Sequence, residues 1–160
     1  IEEPVAPGLR IEETISQVHA QGGLAIAAHP FDLVSSSLLG RSPRRWTACE
    51  LLSLHLDGLE TLNASLVRHM ANARAAHLAE RLGFPAVGAS DAHHLAAIGR
   101  AYVRFPGHTA EDLRQAILAG ETVADGCSWG LRQYLSWVPG CLIPRTIRRM
   151  RSAARAAGLA

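Results

Sequence analysis

The sequence predicts an α/β fold built from repeated strand–helix units with parallel strands. Three observations carry that expectation. Short apolar segments recur over 24–28, 58–62 and 86–90, far enough apart for a helix between each pair. Helical apolar periodicity fills those intervals. Each apolar segment also runs directly into a polar residue able to do chemistry: His29, Asn63 and Asp91. With 48% apolar residues among 160, the chain can bury the core of one domain.

The elements follow in order. Ile11, Ile15 and Val18 fall at helical spacing, and Gly22-Gly23 ends that helix ahead of strand 24–28. A polar loop over 30–42 contains Ser35-Ser36-Ser37. Ser42 and Pro43 form a helix start, with Pro at the first helical position, and the helix carries Trp46, Cys49, Leu52 and Leu56. Strand 58–62 ends at Asn63. An Ala-rich helix over about 66–82 is stopped by Gly83 and Pro85. Strand 86–90 delivers Ser90-Asp91-Ala92-His93, and a fourth strand spans 100–105. Thr109, with Asp112 three residues on, caps a helix closed by Gly120, and 121–124 returns as a short strand. Strands and helices alternating in this way imply right-handed crossovers throughout.

Charge divides the chain. All sixteen basic residues are Arg, and no acid follows Asp125. Residues 1–125 set ten Arg against fourteen acids, whereas Arg132, Arg145, Arg148, Arg149, Arg151 and Arg155 stand unopposed. We therefore separate 1–126 from a basic helical extension over 127–160, packed through Ile143, Ile147 and Met150. Such a tail makes phosphate, nucleic acid or an anionic membrane surface its candidate partners. The aromatic interleaving of nucleic-acid readers is absent from 145–160, so a solvated Arg face is the plainer expectation. Cys49, Cys127 and Cys141 are few and odd in number, which suits buried, reduced thiols in a cytoplasmic protein. No run of eighteen apolar residues marks a membrane span. The chain starts at Ile1 without an initiator Met, and we expect it to begin inside a longer protein.

In parallel α/β sheets and barrels, chemistry gathers at the carboxyl ends of the strands. His29, Asn63 and the Asp91-Ala92-His93 run occupy those ends in three successive units. Asp oxygen and neutral His nitrogen are ligands for divalent transition metals, so the three ends form a coherent candidate metal rim. Arg100 and Arg104 lie close to it in sequence and suit either phosphate binding or a strand-edge salt bridge. His94 is expected in a surface turn, and His19, His55, His69, His77 and His108 in structural or surface roles.

Four stretches in order resemble the later motifs of the PHP superfamily, the polymerase-and-histidinol-phosphatase metal-dependent phosphoesterases. They are Ala28-His29-Pro30-Phe31, Asp57 through Asn63, Gly88-Ala89-Ser90-Asp91-Ala92-His93, and Ile98-Gly99-Arg100-Ala101-Tyr102. The likeness runs from about residue 22 to 126. It implies a distorted β/α barrel related to the TIM barrel, with two or three divalent ions (Zn, Mn or Fe) at its rim. By that resemblance His29, Asp91 and His93 are metal ligands, and Asp91 and His93 serve catalysis through the bound metal. Glu60, inside its strand, and Asn63, at its end, are read as groups supporting the ligands or touching substrate.

The family's opening His-x-His motif has no counterpart here, and five strands are too few for a full barrel. The expectation is thus a partial barrel, the C-terminal portion of a PHP protein whose N-terminal half is its missing partner. The implied function is hydrolysis of phosphate esters in a nucleotide, an oligonucleotide or a small phosphorylated metabolite. The alternative is a non-catalytic PHP remnant acting as a structural or interaction module. Hydrolysis of C–N bonds is a weaker third reading.

Overall fold

Helix α1 (Ile11–Ala20) opens the first unit, with Glu13 reaching back to accept from the Arg10 backbone N–H at 2.9 Å and Ile15 turned into the core. The computed structural model describes residues 1–34, 36–42, 44–65 and 69–135. The expected C-terminal helix around Ile143, Ile147 and Met150 lies outside the described residues, as do Arg145–Arg155, Cys141, Pro43 and residues 66–68.

Three strands, β1 (Ile26–Ala27), β2 (Gly58–Asn63) and β3 (Ala86–Ala89), form a parallel sheet with β2 in the centre. β1 is shorter than the apolar run 24–28. Ahead of it, the Ala25 N–H donates to the Asp57 carboxylate at 2.6 Å, so a side chain takes the place of a ladder partner. Asp57 also holds His19 at 2.8 Å, tying the end of α1 beneath the sheet.

Pairing between β2 and β3 is irregular. Leu59 faces Ala86 and Glu60 faces Val87, but Leu62 faces Gly88 and Asn63 faces Ala89, leaving Thr61 as an extra residue. Side chains alternate along a strand, so Glu60 and Asn63, three apart, would otherwise point to opposite faces. The bulge cancels that alternation and brings both to one side.

The second helix begins later than expected. α2 (Ala48–Ser53) is capped by Thr47, whose hydroxyl accepts from the Glu50 N–H at 3.2 Å while Glu50 accepts from the Thr47 N–H at 2.8 Å. That reciprocal cap outcompetes the start at Ser42-Pro43 and leaves Trp46 before the helix under the Arg44 guanidinium, 3.8 Å from the ring centroid. α3 (His69–Leu82) lays Ala75 and Ala79 on the sheet. Ile15, Leu51 and Leu54 form one buried cluster, against which Leu78 and Leu82 pack.

The last two strands depart from the parallel expectation. β4 (Ala101–Arg104) and β5 (Val123–Gly126) form an antiparallel ribbon, with α4 (Ala110–Ala119) between them. Along β4, Ala101 is buried, Tyr102 exposed, Val103 half-buried and Arg104 exposed. That one-sided pattern is typical of antiparallel pairs, whereas parallel strands are covered on both faces. Arg104 pairs across the ribbon with Asp125 at 3.0 Å, the strand-edge salt bridge rather than a phosphate site. The ribbon crosses β3 at Gly88, and the Thr122 hydroxyl donates to the Ala86 carbonyl at 2.8 Å. No sheet among the described residues closes, so in place of the expected barrel they form an open parallel sheet with an antiparallel ribbon beside it. α4 keeps its expected limits. Thr109 and Asp112 cap it reciprocally, and Gly120 ends it in the left-handed conformation at φ 71°.

Two smaller expectations are corrected. Cys49 and Cys127 are exposed rather than buried, because Cys49 faces outward on a single short helix and Cys127 follows the ribbon at its edge. His94 is half-buried rather than a surface turn residue, since its ring sits against Trp129 with centroids 5.2 Å apart.

Candidate functional site

The site is assembled at the carboxyl ends of β1, β2 and β3. His29 leaves β1 with φ 29°, and Asp91 leaves β3 with φ 46°. Both are left-handed conformations that a side-chain-bearing residue adopts at a cost of order 1–3 kcal/mol, held by the surrounding structure. Non-glycine residues with positive φ are uncommon, and two of the three among the described residues are the predicted ligands.

A polar network joins the three strand ends. The buried Glu60 carboxylate accepts from the His29 backbone N–H through Oε2. Asn63, 1% exposed, donates from Nδ2 to that same oxygen at 3.1 Å and to Asp91 Oδ2 at 3.3 Å. One amide thus spans two carboxylates, with one hydrogen available for each. Asn63 Oδ1 accepts from the Ser65 N–H at 2.9 Å, which fixes the orientation of the amide. The Asn63 backbone is clamped in turn by Asn72 of α3, which accepts from its N–H at 3.1 Å and donates to its carbonyl at 3.0 Å. The Ser65 hydroxyl lies 2.5 Å from Asp91 Oδ2.

Electrostatics follow from this packing. Burial pushes the Glu60 carboxyl above its ordinary range; hydrogen bonds from Asn63 and His29 oppose that shift, and the charge of Asp91 reinforces it. The ring of His29 carries a buried Nδ1 with no hydrogen-bond partner among the described residues. His93 Nδ1 lies 2.8 Å from the Asp91 carbonyl, an acceptor only, so in the neutral ring the proton sits on Nδ1 and the lone pair on Nε2.

Trp129 closes one side. Its indole N–H donates to the Ser90 carbonyl at 3.0 Å and its backbone N–H to the Ala64 carbonyl at 2.7 Å. It is thereby wedged between the ends of β2 and β3, packed with Ala64, Ala97 and Ala101, with His93 and His94 edge-on at 6.0 and 5.2 Å. Arg100 is turned away to donate to the Ser128 carbonyl at 2.9 Å.

Ser65, Asn72 and Trp129 were not singled out in the sequence. Asn72 had a detectable signal, a polar amide on the inward face of an Ala-rich helix. Ser65 had none, because its role depends on a contact with Asp91 across 26 residues.

In kind, these donors fit a divalent transition metal. They include a buried, unpartnered imidazole nitrogen, a carboxylate and a second imidazole with its tautomer set. In number they are incomplete: no three His, Cys, Asp or Glu side chains converge into one ligand cluster among the described residues.

Residues 69–122 match the PHP-associated family. That stretch is similar to PHP-associated regions. That region contributes Asn72, β3, Asp91, His93 and α4, whereas His29, Glu60, Asn63 and Ser65 precede it. Over 64 residues the chain is 39% identical to an uncharacterized protein of Methanocaldococcus jannaschii. That stretch is 40% of this chain and 32% of the relative, so the match spans about a third of that protein's length. A crystal structure of a candidate metal-dependent phosphoesterase from Bifidobacterium adolescentis aligns with a TM-score of 0.46 at 22% identity. It covers 80% of this chain and 40% of that one.

Proposed function

We propose that the protein containing this PHP-associated region hydrolyses phosphate esters with the aid of divalent metal ions. The substrates would be nucleotides, short oligonucleotides or small phosphorylated metabolites. The observation that supports the reading is the hydrogen-bonded network that ties His29, Glu60, Asn63 and Asp91 together at three parallel strand ends. His29 through Nδ1, Asp91 through its carboxylate and His93 through Nε2 would hold metal. Further ligands would come from parts of the protein beyond the described residues.

A bound divalent ion supplies positive charge to the phosphoryl oxygens and acidifies water. The residues of this chain prepare the ground for it. Glu60 fixes the backbone of His29 and so aims its ring. Asn63 holds Asp91 from behind with a neutral donor, keeping the carboxylate oriented. Trp129 packs edge-on against the rings of His93 and His94. Zn, Mn and Fe all accept such mixed shells, and these ligand types do not choose among them.

The test uses the full-length protein. Metal content by mass spectrometry is expected to be stoichiometric, with phosphate-ester hydrolysis across a panel of nucleotides and aryl phosphates. His29→Ala with Asp91→Ala should abolish both while circular dichroism remains unchanged. Full activity in that double variant would refute the reading. A wild type that binds no metal and releases no phosphate would favour a non-catalytic module instead.

A further inference from the structure

Among the described residues, the two donors that reach the Asp91 side chain meet at the same atom. Asn63 Nδ2 is 3.3 Å and Ser65 Oγ 2.5 Å from Oδ2, whereas the nearest ionisable partner of Oδ1, His93 Nδ1, stands 3.9 Å away, beyond hydrogen-bond reach. A carboxylate oxygen has two in-plane lone pairs, and both of those on Oδ2 are engaged.

Ser65 is itself held on several sides. Its N–H donates to Asn63 Oδ1 at 2.9 Å, and its carbonyl accepts from the Tyr134 hydroxyl at 2.7 Å. Its neighbour Ala64 donates to the Ala89 carbonyl at 3.0 Å and accepts from the Trp129 N–H at 2.7 Å. The hydroxyl has one proton and two acceptors in range, Asp91 Oδ2 and Asn63 Oδ1 at 2.8 Å. An ionised carboxylate is the stronger acceptor and takes it.

We infer that Ser65 is a positioning residue that occupies Asp91 Oδ2, so that Asp91 binds its metal through Oδ1 alone and the site favours small transition ions over Ca²⁺. The inference rests on the reading of Asp91 as a ligand. Ca²⁺ takes six to eight oxygens and draws readily on both oxygens of a carboxylate, whereas smaller transition ions are satisfied by one. Blocking Oδ2 removes an oxygen that Ca²⁺ would use and steadies the one that remains.

The experiment titrates Mn²⁺ and Ca²⁺ into metal-free full-length protein by calorimetry, for wild type, Ser65→Ala and Ser65→Thr. Ser65→Ala should weaken Mn²⁺ binding about 10–100-fold, the usual effect of removing a group that orients a ligand, and narrow the Mn²⁺/Ca²⁺ preference. Ser65→Thr, which keeps the hydroxyl, should restore both. With an aryl phosphate at saturating Mn²⁺, Ser65→Ala should lower kcat more than it raises KM. If Ser65→Ala does not fold, Ser65→Cys, close in size and a poor donor, takes its place with the same expectation. Unchanged Mn²⁺ affinity and preference in the alanine variant, beside a wild type that binds, would overturn the inference alone. A wild type that binds neither ion would overturn the ligand reading beneath it.

Discussion

At Asn63 a single amide donates towards Glu60 at 3.1 Å and towards Asp91 at 3.3 Å, so one neutral side chain bridges two carboxylates on the rim. Glu60 bears the consequence of burial. It loses its proton near the ordinary carboxylate value in the unfolded chain and holds it to higher pH in the fold. The native state therefore binds more protons across that window, and stability falls as pH rises through it. Glu60→Gln keeps an acceptor for the His29 N–H and removes the charge. In chelator-treated protein the variant should melt higher than its parent at pH 8. The difference should shrink as pH falls and vanish at about pH 3, well below the ordinary carboxylate value, where the parent carboxyl is protonated in both states. Equal shifts at the two pH values would show that the charge is not the cause. His29, Asn63, Asp91 and His93 were legible as chemistry-bearing residues because each sits where an apolar run stops. The identity of Glu60's partner was not, since it is a backbone N–H on another strand.

α4 and the end of β2 kept their expected places, whereas α2 starts at Thr47 rather than at Ser42. Thr109 and Asp112 start α4, Gly120 ends it, and Asn63 closes β2. Capping and left-handed turns are decided within four residues, so the sequence carries them whole. The bulge at Thr61 has no such signal, yet it alone brings Glu60 and Asn63 to one face. The partner of β4 was equally hidden, because a strand's composition leaves open which strand will pair with it. Gly88 marks where the ribbon crosses β3. A Cβ there would stand 2.4 Å from the Tyr102 carbonyl oxygen and 3.3 Å from the Ala124 Cα, backbone atoms that cannot swing aside. Gly88→Ala should therefore cost about 2–3 kcal/mol in urea unfolding. A loss under about 0.5 kcal/mol, the range of neutral surface changes, would show that ribbon and sheet separate freely.

For the molecule as a whole, the described residues bring three strand ends together through hydrogen bonds. β1 pairs with β2 alone among them, and no three potential ligands converge. The matched stretch is 32% of the curated relative's length, and the activity of the whole protein is a proposal that reaches beyond this chain. On that proposal the 160-residue chain should bind Mn²⁺ about tenfold or more weakly than the full-length protein, because an incomplete ligand set forgoes coordination energy. Equilibrium dialysis of the two side by side measures the ratio, and equal affinities would place the complete site inside this chain. By itself the sequence determined the alternation of strands and helices, the cap and end of α4, and the residues that stand at the strand ends. Those follow from side-chain period and backbone preference over a few neighbours. Only the tertiary structure decided that β5 runs antiparallel to β4, that a bulge turns Glu60 towards Asn63, and that Ser65 meets Asp91. Each depends on which distant segments pack together, and such contacts are set by the burial of the whole chain rather than by local pattern.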